Sequence, residues 1–353
     1  MAISFALSED ELMIRNEAEK FGKALYDDAR KYEKEGVPAS LYGNYKELGF
    51  LNLDWPAELG GQGLPFFVKT LVLEQLSRGC VSTLLHIDRA GLAVYPLLAL
   101  TDSAAKSFLL DRFKQAADGF EPAVFVDTDG RIKLENGVLT GDILYLPCHK
   151  PSLLILLQGR RVVCIEDGLD STPVLPCALH SAGACGVRIG GKPSIVEELS
   201  EESYRKMIAG MRLYAASCML GVSVAAYQYA LGYTKERITF GKKVAHHQGV
   251  AFILADMSIA IEATRAAIWK GVYGLSKGDG FADGSQALLQ AQECASFVTV
   301  YGVQLLGGHG YVNDYPVEKW MREARTLPVL LGGKDAAQID LERTIKDWAQ
   351  AGN

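Results

Sequence analysis

Apolar residues recur at three- and four-residue spacing through the first third of the chain. Ser8 with Glu11 forms a capping box, and Ala18, Phe21 and Leu25 continue one apolar stripe. The pattern predicts a helix beginning after Ser8. Further helices are predicted over residues 40–48, 66–78, 82–98 and 103–117, with a Gly- and Pro-rich break at 56–65.

The pattern changes at about residue 120. Short segments rich in Val, Ile and Leu, bounded by Gly, Asp, Asn and Pro, predict strands within 122–127, 131–141, 152–158 and 161–167. Glu135-Asn136-Gly137 is typical of a hairpin tip. This middle part is therefore predicted to be a small β-domain.

Helical periodicity returns after residue 191. Ser200 is the predicted N-cap of a helix over 201–235, and further helices are predicted over 250–275, 285–306 and 336–351. Gly210, Gly221 and Gly232 each cost the first helix roughly 1 kcal/mol relative to Ala, so they indicate close helix–helix approach. The predicted fold class is α+β, mainly α, with domains at 1–119, 120–192 and 193–353, which is not a Rossmann alternation.

Composition excludes several classes of function. The chain has 353 residues, and 36 Lys and Arg against 42 Asp and Glu give a formal net charge of −6, which argues against nucleic acid or an anionic membrane as the main partner. No continuous apolar run reaches the roughly 18 residues that span a bilayer. The first residues carry no secretory pattern, so we expect a cytosolic protein without a membrane span.

Cysteine usage gives no sign of a metal centre. The seven cysteines are odd in number and form no Cys-x-x-Cys pair, which argues against a disulfide framework and a zinc ribbon. Four of them lie between 148 and 185 near His149 and His180, but zinc sites normally show closely spaced ligand pairs. We therefore predict buried free thiols and no metal site.

Two segments near the ends of the later helices carry candidate chemistry. The first is Glu-Arg-Ile-Thr-Phe-Gly-Lys-Lys at 236–243, with His247-Gln248 shortly after it, and the second is the Gly-rich segment at 301–311. Glycines at a helix end let backbone N–H groups approach a phosphate, although each segment alone is also typical of an ordinary helix end. Only their combination is specific.

Taken together, these segments resemble the acyl-CoA dehydrogenase family. Further matching segments lie at 45–50, 56–63, 255–257 and 304–325, so the resemblance extends over nearly the whole length of the chain. It implies an N-terminal helical domain, a middle β-domain and a C-terminal four-helix domain that forms dimers and tetramers. It also implies FAD as cofactor, with part of the site contacting the FAD of a neighbouring subunit. The residues implied to bind FAD are Arg237, Thr239, Phe240, His247, Gln248, Gln304, Gly307 and Gly308.

The chain departs from this family at the catalytic base. Family members remove the α-proton of an acyl-CoA with a Glu while hydride leaves the β-carbon for the flavin. The usual Glu position falls on Leu331, and the alternative position used by some branches falls on Met211. Because neither side chain takes a proton, we predict no catalytic base in this chain.

The part of the β-domain that resembles a flavin-ring cradle also departs from the family. The family loop after the first strand is shortened here, since Asp127 runs almost directly into Gly130. In the next strand Ile143 replaces a Lys, and Pro147, which has no N–H, stands where a flavin-facing Thr is expected.

On the substrate side, Arg212 and Arg89 match positions near the acyl-CoA chain in the family, although a structural ion pair is the alternative role of Arg212.

These features resemble the smaller, base-less subunit of heteromeric α2β2 acyl-CoA dehydrogenases, which act on bulky acyl-CoAs. The first hypothesis is a FAD half-site completed by a Glu-bearing paralogue. The second is a stand-alone FAD enzyme of altered chemistry on a CoA or carrier-protein thioester, such as desulfination or oxygenation. The third is a non-catalytic homologue. A homodimer or homotetramer also remains open.

Overall fold

The computed structural model describes residues 6–101, 103–114, 120–278 and 280–351. The predicted capping box is confirmed, since Glu11 N donates to Ser8 Oγ at 3.3 Å and Ser8 N donates to Glu11 Oε2 at 2.7 Å. The last residues of the helix predicted over 103–117 lie outside the described residues. The N-terminal helices are α1 (Glu9–Asp27), α2 (Ala29–Glu35), α3 (Ala39–Glu47), α4 (Phe66–Ile87), α5 (Val94–Ala99) and α6 (Ser103–Lys114).

Two predicted helices in this region have the wrong boundaries. Helix α4 runs through the predicted gap at 79–81, with non-helical backbone angles at Cys80, and it ends at Ile87, inside the helix predicted over 82–98. The helix ends there because Asp88 leaves the helical conformation, and its Oδ1 accepts a hydrogen bond from Gly91 N at 3.3 Å. The chain then turns before α5 begins.

The middle region forms two four-stranded sheets. One has the order β1-β4-β5-β8, in which only the β1–β4 pair is parallel, and the other is antiparallel with the order β2-β3-β7-β6. The strands are β1 (Pro122–Val126), β2 (Lys133–Glu135), β3 (Val138–Leu146), β4 (Leu153–Gln158), β5 (Arg161–Ile165), β6 (Leu169–Pro173), β7 (Cys185–Gly191) and β8 (Ile195–Glu198).

The hairpin predicted in this region is confirmed. Glu135 pairs with Val138, and the two residues between them have positive φ, at 51° for Asn136 and 75° for Gly137. Asn and Gly adopt that conformation at little cost. The last strand, β8, pairs with β5 although it lies beyond residue 192, where we place the end of the β-domain.

The C-terminal region is dominated by long helices. Ser200 Oγ accepts a hydrogen bond from Ser203 N at 3.1 Å, which confirms the predicted N-cap of α7. A short helix, α10, was not predicted from the sequence. The elements are α7 (Glu201–Glu236), β9 (Ile238–Thr239), β10 (Lys242–Lys243), α8 (Gln248–Ser276), α9 (Phe281–Leu306), α10 (Val317–Thr326) and α11 (Gly333–Ala351).

Helix α7 lies at the centre of the molecule and packs against α4, α8 and α9. A Cβ atom on Gly221 would lie 2.4 Å from Glu74 O of α4, so this glycine does mark a close helix approach. A Cβ atom on Gly210 would lie 3.1 Å from the Tyr95 ring, whereas a Cβ on Gly232 would have no neighbour within 4 Å. By length and composition α7 could cross a membrane, but its apolar stretch is entirely buried within the protein.

Candidate functional site

The ends of α7, α8 and α9 line an open cavity of about 520 Å³. We call it the helix-end cavity. Of the residues implied to bind FAD, it is lined by Arg237, Thr239, Gln304, Gly307 and Gly308. The tertiary structure therefore brings together two segments that lie more than 60 residues apart in the sequence.

The other three residues implied to bind FAD lie beside this cavity rather than in its lining. His247 Nε2 is 3.2 Å from Thr239 O, which ties the start of α8 to β9. Gln248 is exposed at the first position of α8. Phe240 packs edge-on to the His247 ring, with centroids 6.3 Å apart, yet 97% of its surface is exposed.

Phe240 and Gly241 form the tip of a two-residue hairpin between β9 and β10. Both have positive φ, at 50° and 76°. Positive φ at both positions is typical of a type I′ hairpin turn, and this conformation suits Gly but is costly for Phe. The turn therefore holds a large aromatic ring outward.

Gly307 ends α9 in the way that the sequence predicts. Its φ is 59°, and its N–H donates to Gln304 O. A Cβ atom on Gly308 would have no neighbour within 4 Å, so the backbone here faces open space. By contrast, Gly310 lies against Val303 O, where a Cβ would approach to 2.3 Å.

Two polar residues that line the helix-end cavity, Tyr233 and His309, were not predicted from the sequence to be site residues. Tyr233 OH and His309 Nδ1 are 2.9 Å apart, and the His309 ring stacks on Tyr315 with centroids 4.9 Å apart. Tyr233 precedes Arg237 by one helical turn, and His309 follows the paired glycines, so their spacing could have identified both.

Two further cavities lie where α4, β1 and the segment before α11 meet. We call them the inner cavity, of about 90 Å³, and the outer cavity, of about 310 Å³. Val124, Pro147 and Leu330 line both. Of the positions that the resemblance associates with the flavin ring and the missing base, Pro147 lines both cavities and Asp127 lines the outer one.

In the turn after β1, backbone N–H groups are already hydrogen-bonded to a side chain of the same turn. The carboxylate of Asp127 accepts hydrogen bonds from Arg131 N and Ile132 N, both at 3.1 Å, and from Gln158 Nε2 at 3.0 Å. Asp127 is buried. Its side chain thus closes the shortened loop and directs those two backbone N–H groups inward.

Neither base position carries an ionisable group, and both side chains are enclosed. Met211 is fully buried and Leu331 is 6% exposed. Leu330, and not Leu331, faces the inner and outer cavities. A proton acceptor in this region has to come from another residue or another chain.

The two predicted substrate residues occupy different surroundings. Arg212 is buried, donates from Nη1 to Ser285 Oγ and from Nη2 to Asp340 Oδ2, both at 2.6 Å, and does not line any of the three cavities described above. Arg89 lines the inner cavity and stacks over the Tyr42 ring at 4.2 Å. The structure therefore does not bring Arg89 and Arg212 together in one cavity.

Asp88, beside Arg89, is part of a buried polar network. Its Oδ2 is 3.2 Å from Lys69 Nζ and 2.9 Å from Tyr214 OH. Lys69 also donates to Tyr45 OH at 3.3 Å. Burial, and then the charge of Asp88, raises the pKa values of both tyrosines well above their ordinary value, so their hydroxyls stay protonated.

Three ionisable side chains meet at the inner cavity. The rings of His86 and His149 are 5.3 Å apart, and His149 Nδ1 is 3.4 Å from Glu121 Oε1. Burial, and then the neighbouring His149, lowers the pKa of His86 to about 4. Burial favours a higher pKa for Glu121, but the hydrogen bonds from His149 and Lys150 outweigh it and lower that pKa.

The cysteines of the middle region are mainly buried, as expected. Cys148, Cys164 and Cys185 are buried thiols, and Cys177 is exposed. The sulfur atoms of Cys148 and Cys185 are 3.7 Å apart. His180 Nε2 is 3.3 Å from Arg322 Nη1.

Comparison with known protein families identifies the class to which this fold and site belong. Residues 8–115 match the acyl-CoA dehydrogenase N-terminal domain, and residues 202–344 match the acyl-CoA dehydrogenase C-terminal domain. The chain belongs to the acyl-CoA dehydrogenase family. It is an acyl-CoA dehydrogenase-like flavoprotein, an oxidoreductase whose cofactor is FAD.

Individual relatives cover most of the chain at low identity. A mitochondrial short-chain specific acyl-CoA dehydrogenase from Sus scrofa is 26% identical over 95% of this chain and 90% of its own length. A 3-sulfinopropanoyl-CoA desulfinase from Paraburkholderia xenovorans (strain LB400) is 26% identical over 97% of both chains. The FAD complex of PigA shares the fold, with a TM-score of 0.84 and 18% identity over 98% of this chain and 99% of that one.

Proposed function

We propose that this chain contributes a FAD half-site to a heteromeric enzyme that α,β-dehydrogenates a bulky acyl-CoA. In this assembly a Glu-bearing paralogue supplies the flavin-ring cradle and the catalytic base. The observation that supports the proposal is an asymmetry within the chain. Five of the residues implied to bind FAD line one cavity, whereas the positions implied for the flavin ring and the base carry Pro147, Leu331 and Met211.

The helix-end cavity fits the pyrophosphate and adenosine half of FAD. Arg237 places a guanidinium at the cavity, and guanidinium groups bind phosphates through charge-assisted hydrogen bonds. Gly308 leaves room for a ligand to approach the backbone. The exposed Phe240 ring beside the cavity has little packing within its own chain and is available to a neighbouring subunit.

The inner and outer cavities do not fit a flavin ring with its base. Pro147 offers no N–H, and the carboxylate of Asp127 occupies the N–H groups of the turn after β1. Leu331 stands at the position implied for the proton acceptor, and its neighbour Leu330, which lines both cavities, cannot accept a proton either. FAD, when bound, accepts hydride, and this chain's own residues act only by holding its pyrophosphate and adenosine.

The test is co-expression with the Glu-bearing paralogue, followed by flavin absorbance and mass-resolved stoichiometry. We expect one FAD per heterodimer.

Arg237→Ala should lower FAD affinity by about 10- to 100-fold, because it removes a charge-assisted hydrogen bond from the site. Arg188→Ala is the matched control, since Arg188 is an exposed arginine of β7 that pairs with Asp142 at 3.3 Å. It should leave FAD binding unchanged.

A second candidate is a stand-alone FAD enzyme of altered chemistry on an acyl thioester. The observation that favours it is the similarity over 97% of both chains to a desulfinase. Full FAD occupancy of the chain purified without a partner would favour this candidate and contradict the half-site. Failure to bind FAD or acyl-CoA in any complex would instead indicate a non-catalytic homologue.

A further inference from the structure

The inner cavity has three potential metal ligands at its edge, which come from three separate segments of the chain. His86 lies in the last turn of α4, Glu121 precedes β1, and His149 lies in the turn between β3 and β4. One ring nitrogen from each histidine and one carboxylate oxygen all lie within 4.8 Å of one another. The sequence predicts no metal site here, because the three residues are separated by 35 and 28 positions.

The fold holds two of these ligands in place through backbone contacts. Glu121 Oε2 accepts hydrogen bonds from His149 N at 2.8 Å and Lys150 N at 3.0 Å, which leaves Oε1 facing the His149 ring. Gly183 makes room for that ring, since a Cβ atom there would lie 2.7 Å from His149 Cγ. Supporting contacts of this kind orient the ligands of metal sites.

The remaining side of the cluster is open. His86 and Glu121 both line the inner cavity, so a metal held by the three side chains would keep at least one position for water or another small ligand. Two imidazoles and one carboxylate with an open position suit Zn²⁺ and other divalent transition ions. Tetrahedral bonds of about 2.0–2.1 Å place ligand atoms ~3.4 Å apart. His149 Nδ1 and Glu121 Oε1 already have that spacing, so binding of a metal ion would require the other pairs, within 4.8 Å, to close by side-chain rotation.

We propose that His86, Glu121 and His149 form a binding site for a divalent transition metal ion, with Zn²⁺ as the ion that its ligands fit best. The proposed metal site and the inner cavity share no residue with the lining of the helix-end cavity. The proposal is therefore independent of whether the chain binds FAD as a half-site.

The test is metal binding by the untagged full-length chain after removal of metals with a chelator. Titration with Zn²⁺ should give one ion per chain, and Co²⁺ should give the visible absorption of a low-symmetry site. Zn²⁺ should also raise the melting temperature of the wild-type protein. His149→Ala and His86→Ala should each weaken Zn²⁺ binding by about 100-fold or more, since even the loss of a supporting contact costs 10- to 100-fold.

His246→Ala is the matched control, because His246 is an exposed histidine in another part of the chain. It should bind Zn²⁺ as the wild type does. Circular dichroism and the melting temperature of each metal-free variant separate loss of a ligand from loss of the fold. The proposal is overturned if the wild type binds no ion at equimolar concentration, or if folded His149→Ala and His86→Ala variants bind Zn²⁺ as tightly as the wild type.

Discussion

Phe240 combines backbone strain with nearly complete exposure. A non-glycine residue with a φ of 50° is unfavourable, and an aromatic ring that is 97% exposed gains little from burial in its own chain. Nothing within the described residues compensates for both costs. A contact outside the chain would do so, which is why this residue bears on the proposed half-site.

We expect Phe240→Asn to weaken subunit association without lowering the stability of the folded chain. Asn adopts positive φ more readily than Phe, so the free energy of unfolding should stay the same or rise by up to about 1 kcal/mol. FAD occupancy and heterodimer affinity should fall, because the exposed ring is lost. Denaturant unfolding and the titration of one subunit with the other measure the two effects.

Leu175→Asn is the control for this substitution. Leu175 is 92% exposed in the middle region and does not line the helix-end cavity. It should leave the assembly unchanged. An unaltered heterodimer in Phe240→Asn would remove this residue from the proposed interface.

The glycines of α7 show how an element depends on its neighbours. At Gly221 a backbone carbonyl and the Ser77 side chain of α4 occupy the space of a Cβ atom, at 2.4 and 2.7 Å. At Gly232 that space is open. The sequence predicts the same close approach for both, and only the packing of α4 against one of them distinguishes them.

Alanine at these two positions should therefore have opposite effects on stability. Gly221→Ala should lower the free energy of unfolding by about 1–3 kcal/mol, because α4 and α7 must separate. Gly232→Ala should raise it by about 0.5–1 kcal/mol, since Ala restricts the unfolded chain without a clash. Denaturant midpoints of the two variants test this. Equal changes would contradict the packing of α4 on α7.

Arg212 connects the central helix α7 with the C-terminal helix α11 and so links distant parts of the fold. Its side chain is 4% exposed, and it pairs with Asp340 of α11 and with Ser285 of α9. A charge with this little exposure requires a partner. The ion pair therefore gives Arg212 a structural role, whereas its predicted contact with substrate stays a prediction.

We expect Asp340→Asn to destabilise the whole protein by about 3 kcal/mol, because it leaves the buried guanidinium without its counter-charge. Asp347→Asn, at an exposed position of the same helix, should change stability by less than about 0.5 kcal/mol. Guanidinium chloride unfolding, monitored by circular dichroism, compares the two. Similar midpoints would show that the Arg212–Asp340 pair does not support the fold.

Local periodicity and backbone preference were enough to predict the order of a helical, a sheet and a second helical region, the helix caps at Ser8 and Ser200 and the hairpin at Asn136-Gly137. The sequence by itself also determined the family and the absence of a Glu at positions 211 and 331. The end of α4 also depends on tertiary contacts, because Asp88 binds Lys69 and Tyr214 through Oδ2 in addition to the local contact of Oδ1 with Gly91 N. Only the tertiary structure joined His86, Glu121 and His149 at one cavity, because contacts between distant segments leave no local pattern.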